Sequence, residues 1–343
     1  MSAKFTARWP KSIYRTATEA VLLVTSAVMV VPFMWMLTVS LKGRREVFNG
    51  QNFVPRLKAS LSALGTHPSL AVAILAAVVL TAYSAVPTKE GRHKRLARAV
   101  SAALWITSLV LAFSSGTLSG LDFSAYSAVW ARVPFARMLV NSSAVAVSVT
   151  ALQLVTSCLA GYAFSRLDFP GRDKLFWAYA SLMLIPQQAT LIPAFMLINR
   201  LGLVDTYAAL VLPFAAAPFG AFMMRQFFMA LPKELEEAAV LDGCTRFDVL
   251  VRIFVPLAKP GLATLALFSF MTSWNEFLWP LMVTTRREMF TLQVGLDMLK
   301  WEAGTDWPVI MAASVLVTLP VIIAFLFTQR RFTRSVAMSG INT

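Results

Sequence analysis

Eight apolar runs, each about as long as a bilayer-crossing helix, decide most of what this chain can fold into. They lie near 18–41, 69–87, 97–117, 138–164, 175–198, 207–229, 260–284 and 308–329. A hydrocarbon core about 30 Å thick takes about 20 apolar residues in a helix. Inside it every backbone N–H and C=O must find a protein partner, which leaves helices and closed barrels. Barrel strands alternate polar and apolar residues over segments of about 10 residues, and these runs do not alternate. The expected fold is therefore all-α: a polytopic membrane protein with about eight transmembrane helices. Composition agrees, since 57% of the 343 residues are hydrophobic and only 14% charged. Soluble domains hold about 25% charged residues.

The chain carries 31 basic and 17 acidic residues. A nucleic-acid binder is as basic, but its charge gathers on one folded face. Here the cations sit in short segments between apolar runs, which is the positive-inside pattern. With a cytoplasmic N-terminus, the inner segments and their flanks hold 20 of the 31, Lys89, Arg92, Lys94, Arg95 and Arg98 being the densest group. The segment 42–58, with Lys42, Arg44, Arg45, Arg56 and Lys58, runs against the bias. Both termini are expected in the cytoplasm. The run from Ala20 to Leu41 is too long for a signal-peptide core, so it is read as a retained first helix.

Cys158 falls in an apolar run and Cys244 in a polar segment, so no disulfide is expected, and His67 and His93 stand without partners at metal-ligand spacing. No glycine is followed by lysine, which excludes a Walker A loop on this chain. HExxH and GxSxG are also missing.

The long polar segment 231–260, LPKELEEAAVLDGCTRFDVLVRIFVPLAKP, is read as two short helices. Pro232 suits a first helical turn, and Glu234, Glu236 and Glu237 would face the positive end of that helix. Gly243 can take the left-handed conformation that ends it. Thr245 and Asp248 have the spacing of a capping box for a second helix. Phe247, Leu250, Val251 and Phe254 form its expected apolar stripe, and Pro256 and Pro260 are expected to stop it. Such an elbow suits a socket on another protein; read alone, it also suits a helix resting on the membrane surface.

At this segment the chain resembles a known family. Glu237-Ala238-Ala239, Asp242-Gly243, Ile253 and Pro256 resemble the EAA loop of ABC-importer permeases, with glycine six and proline nineteen positions after the glutamate. GYAFSRLDFPGRDKLFWA, LMLIPQQATLIPAFMLINRLGLVDTYAALVLP and SWNEFLWPLMVT are similar to the MalG-like permeases of carbohydrate importers, from about Val140 onward. Val255 and Cys244 stand where leucine and alanine are usual. Such permeases usually have six spans, so 69–87 and 97–117 are an inserted pair. The resemblance implies four regions. Residues 1–41 are a cytoplasmic segment and first helix, 42–137 extracytoplasmic segments and the inserted pair, 138–329 the permease core, and 330–343 a cytoplasmic tail. It further implies a second homologous permease, an ATPase dimer carrying ATP and Mg, an extracytoplasmic solute-binding protein and a sugar substrate, with no cofactor on this chain. Glu237, Ala238, Ala239, Asp242, Gly243, Phe247, Leu250 and Pro256 would couple to the ATPase.

Two further groups are candidates for the substrate pathway. Trp274, Asn275 and Glu276 lie in or beside a span, where a carboxylate costs about 2.5–3.5 kcal/mol unless it faces protein or water. They are read either as pore contacts, Trp274 offering its ring to a sugar, or as a structural group near the interface. Gln187 and Gln188 follow Pro186 and sit in a span that either breaks to line a cavity or merely kinks. An ion-coupled secondary transporter is the alternative function, and an intramembrane enzyme a third. The first requires internal repeats and buried charges, the second a nucleophile–base or metal set.

Overall fold

A computed structural model describes residues 25, 28–42, 100, 122–303 and 306–339 of the chain. The expected span at 69–87 and all of 97–117 but residue 100 lie outside the described residues, as does most of 1–27. Every regular element among the described residues is helical. They divide into two units, 1–129 with 305–315 and 130–304 with 316–343.

In the first unit, α1 (Val28–Ser40) is short and apolar. Its end meets the start of α2 (Ser124–Arg132): Asp122 N donates to Leu41 O at 3.0 Å, and the Ser40 and Tyr126 hydroxyls lie 2.9 Å apart.

The second unit is organised by α3 (Phe135–Arg166), which is 32 residues long. Its buried positions Met138, Asn141, Ser142, Val145, Ala146 and Val149 step by three and one, the helical spacing of one face. Against it packs α7 (Pro218–Met229). Small residues allow this close approach: a Cβ on Gly161 would lie 2.7 Å from Met224 Cβ, and one on Gly220 would overlap the Ser157 hydroxyl.

Two helices are individually long and apolar enough to cross a bilayer, α3 and the Trp307–Phe325 part of α13 (Trp307–Ser339), which follows α12 (Leu292–Ala303). Three helix pairs, over 172–200, 207–229 and 246–275, are bent at a short break and together long and apolar enough to form a broken span or a re-entrant loop. The run at 175–198 is α4 (Arg172–Ser181, with a 3-10 turn to Leu184) and α5 (Gln187–Arg200), bent by 100°. Pro186 is the cause: it holds the preceding Ile185 extended, at φ −81 and ψ 118. Pro193, by contrast, stays inside α5. The run at 207–229 is α6 (Tyr207–Val211, with a 3-10 turn to Phe214) and α7, bent by 45° ahead of Pro218. The run at 260–284 splits into α10 (Lys259–Asn275) and α11 (Leu278–Val283).

The break between α6 and α7 frees backbone carbonyls, and side chains bond carbonyls around it. Gln153 Nε2 donates to Phe214 O at 2.8 Å, Thr156 Oγ1 to Ala215 O at 3.0 Å, and Trp279 Nε1 to Ala209 O at 2.8 Å. Buried Asn141 plays the same part for the 287–290 turn: its Nδ2 donates to the carbonyls of Glu288 and Phe290, while its Oδ1 accepts from Tyr207.

A clasp joins the turn before α6 to the turn after α11. Asp205 has φ +60, and its carboxylate accepts from Thr285 N at 2.6 Å, Arg286 N at 2.9 Å and the Thr285 hydroxyl. Burial pushes the Asp205 pKa up, but these bonds and the Arg286 charge outweigh it and hold the carboxyl below its usual 3.8. A depressed carboxylate stabilises the fold above its unfolded pKa, and the contribution is lost as pH falls through the folded value. Wild type is therefore expected to lose stability below about pH 4 relative to Asp205→Asn. The check is the gap between their melting temperatures in detergent, which should narrow from pH 7 to pH 3.

Candidate coupling loop and translocation pathway

The elbow forms between α7 and α10 from α8 (Glu234–Leu241) and α9 (Arg246–Leu257). Lys233, at the N-cap of α8, provides no side-chain cap, and the acidic first turn of Glu234, Glu236 and Glu237 lies at the helix's positive end. Gly243 ends the helix at φ +83, with Gly243 N donating to Val240 O and Cys244 N to Ala239 O. Thr245 then opens α9 through a complete capping box: its hydroxyl accepts from Asp248 N at 3.2 Å, and Asp248 Oδ2 accepts from Thr245 N at 3.2 Å. The Thr245 hydroxyl, with help from its backbone N–H, holds the Asp248 carboxyl below the usual range. Both turns stand where the sequence places them.

The apolar stripe does not. Val249, Leu250 and Phe254 are buried, whereas Phe247 is 65% exposed and Val251 is also exposed. Residues 249–254 form a π-helical stretch, within which Val249 and Phe254, five apart, share the inward face with Leu250. Phe247 belongs to the outer surface, as do Leu241 at 88% exposure and the exposed Leu235 and Val240. Glu237, Ala238, Asp242 and Gly243 are also exposed, and Ala239 faces inward. Pro256 does not stop the second helix either, because α9 continues to Leu257. The chain turns by 80° around Ala258 (φ −86, ψ 9), and Pro260 lies in the first turn of α10.

Beneath the elbow lies a polar cluster that sequence reading missed. The Arg166 side chain, 4% exposed, donates to the carbonyls of Phe228 and Leu231 and lies over the Phe254 ring at 4.8 Å. Its Nη1 is 4.0 Å from Glu236 Oε2. Glu236 Oε1 accepts from Tyr162 at 3.3 Å and also pairs with Arg246. The available signal was a cation closing an apolar helix, one turn after a tyrosine.

The pathway candidates separate. Glu276 caps the break between α10 and α11: its Oε1 accepts from Trp279 N at 3.2 Å, and its Oε2 accepts from Gln187 Nε2 at 3.4 Å. Both residues line a cavity of about 50 Å³, together with Ser142, Gln153, Ser269 and Thr272. Gln153 and Gln187 also line an adjoining groove of about 450 Å³. Trp274 does not reach it. It is 2% exposed, stacks on Phe270 and donates through Nε1 to Val317 O at 3.2 Å, so its ring is core and not a sugar platform. Asn275 bonds back to Met271 O, and exposed Gln188 lines neither space.

Residues 153–338, which include the elbow and most of the cavity lining, match the family described as "Binding-protein-dependent transport system inner membrane component". The chain belongs to this family. As one of these inner membrane components it is similar to the arabinooligosaccharides transport system permease protein AraQ of Halalkalibacterium halodurans, at 38% identity over 201 residues, 59% of this chain and 72% of that protein. It is also similar to the sn-glycerol-3-phosphate transport system permease protein UgpE of Escherichia coli, at 36% identity over 208 residues, 60% of this chain and 74% of that one. Its fold matches a chain of the crystal structure of a bacterial ABC transporter involved in the import of the acidic polysaccharide alginate. That match has a TM-score of 0.68 and 22% identity, and covers 95% of this chain and 100% of the other.

Proposed function

We propose that this inner-membrane component is one of two permease subunits of an ATP-binding-cassette importer for a neutral oligosaccharide or polyol. An extracytoplasmic binding protein delivers the solute. A separate ATPase pair, carrying ATP and Mg, drives the pore through residues 231–260, and both termini of the chain are cytoplasmic. The observation that carries this reading is the elbow itself: an inner side packed with residues of α3 and α7, and the apolar side chains of Leu235, Val240, Leu241 and Phe247 left exposed. Exposed apolar side chains on a polar loop suit docking to another protein.

Magnitudes favour docking by area. Shifting a two-state pore from 1:99 to 99:1 takes about 5.5 kcal/mol of differential binding. An exposed ion pair at Glu237 supplies about 0–1 kcal/mol, while burying a leucine or phenylalanine supplies about 1.5–3 kcal/mol each. The apolar face therefore dominates and Glu237 orients.

The solute class rests on the relatives' names and on the lining. Arabinooligosaccharides and glycerol 3-phosphate both present hydroxyl groups, which suits Ser142, Gln153, Gln187, Ser269 and Thr272. Neither the cavity nor the groove is lined by lysine or arginine, and Glu276 is acidic, so a phosphate is disfavoured.

The test is uptake into proteoliposomes holding the full complex. Uptake of labelled arabino-oligosaccharides should require internal ATP and survive collapse of the ion gradients. Uptake that persists without ATPase subunits and follows an ion gradient would establish the secondary-transporter alternative instead.

A further inference from the structure

We propose that Arg166 is a positioning residue that joins the coupling elbow to the pore helix, so that the two move as one body; this rests on the ATPase-coupled reading above. Four elements converge on its guanidinium. It closes α3, donates to the carbonyls of Phe228 at the end of α7 and Leu231 just beyond, faces Glu236 of α8, and lies against Phe254 of α9. The last carbonyls of a helix lack intrahelical partners, so Arg166 completes α7 from a neighbouring helix. Tyr162, one turn earlier on α3, donates to the same Glu236 that Arg166 faces. Two residues from one turn of α3 thus grip the first elbow helix.

The other end of α3 explains why this grip matters. Ser142, Val145, Val149 and Gln153 of that helix line the cavity. From Gln153 to Arg166 is thirteen residues, or about 20 Å along a helix rising about 1.5 Å per residue. A displacement of α8 by a partner therefore reaches the cavity wall through a single continuous helix. Arginine suits the post: its fork of donors bonds several acceptors at once. Removing the Glu236 charge leaves buried Arg166 without its carboxylate, whereas Glu236 without Arg166 keeps Arg246 and Tyr162. A helix cap with no part in coupling would have needed only the two carbonyl bonds, not the carboxylate of α8.

The experiment compares wild type with Arg166→Met, Arg166→Lys and Glu236→Gln in the complete reconstituted importer, normalised to assembled complex. The readout is solute transported per ATP hydrolysed. Loss of a merely structural group lowers transport and hydrolysis in proportion; loss of positioning lowers their ratio. Arg166→Met should reduce the ratio about tenfold, within the about 5- to 150-fold span of coupling effects. Arg166→Lys, with its charge but not its fork, should fall between. A wild-type ratio in Arg166→Met would overturn the proposal. Should that variant not assemble, Glu236→Gln, which changes no shape, decides: a several-fold loss supports the strut, and an unchanged ratio overturns it. Absence of ATP-dependent transport in wild type would count against the underlying function, not against the strut.

Discussion

Gly161→Val is expected to prevent the second unit from folding. A Cβ at Gly161 would sit 2.7 Å from Met224 Cβ and 2.9 Å from the Arg225 backbone nitrogen, and a backbone cannot swing aside as a side-chain tip can. Membrane helices associate through close packing of small residues rather than through expulsion of water, and Ser157 and Gly161 lie one turn apart on this face of α3. Separating α3 from α7 also separates Arg166 from the Phe228 carbonyl and breaks the cluster of Tyr162, Met224, Phe228 and Phe254 under the elbow. Overpacking costs about 1–3 kcal/mol and the lost contacts add to it, against a total stability of about 5–15 kcal/mol. The check is the yield and melting temperature of monodisperse protein in detergent. Gly220→Ala should be milder, because its nearest neighbour is the Ser157 hydroxyl, which can rotate. A wild-type melting temperature for Gly161→Val would mean that the helices do not cross there.

The double variant Leu241→Ser with Phe247→Ser should leave the fold intact and sever the ATPase. Both side chains are largely exposed, and exposed substitutions of this kind shift stability by about 0.5 kcal/mol or less. On docking, each is expected to contribute about 1.5–3 kcal/mol. Together that is about a hundredfold or more in affinity. Glu237→Gln, an exposed single charge, should cost about tenfold at most. Titration of the purified ATPase against the permease in nanodiscs measures both. Equal affinities for wild type and the double variant would show that the outer apolar face is not the docking surface.

What the sequence made legible was local. Gly243 and the Thr245–Asp248 box can be read from spacing, since each acts within four residues of itself, and both are present. The long apolar α3 was legible for the same reason. Phe247 was misplaced because the inward face of α9 is set by what Phe254 packs on, Tyr162 and Phe228, which lie far off in the sequence. Trp274 was ambiguous because its burial depends on Val317, 43 residues away. Pro186 and Pro193 are the same residue type with opposite outcomes, a 100° bend and an uninterrupted helix. Only the residues around them settle which. Arg166 and Glu236 were missed for a related reason: a single arginine among many basic residues carries no sign of the carboxylate 70 positions on. Glu237 drew attention through its family motif, but the buried carboxylate is Glu236.

The most direct measurement of the account uses a residue already in place. Cys158 is buried, and Cys244, at the tip of the elbow beside Gly243, is partly exposed. A thiol-directed crosslinker on Cys244 in the assembled importer should capture the nucleotide-hydrolysing subunit, with a yield that changes between nucleotide-free and ATP-bound states and a matching loss of uptake. Failure to capture that subunit in either state, with uptake undiminished by a bulky adduct on Cys244, would contradict the account.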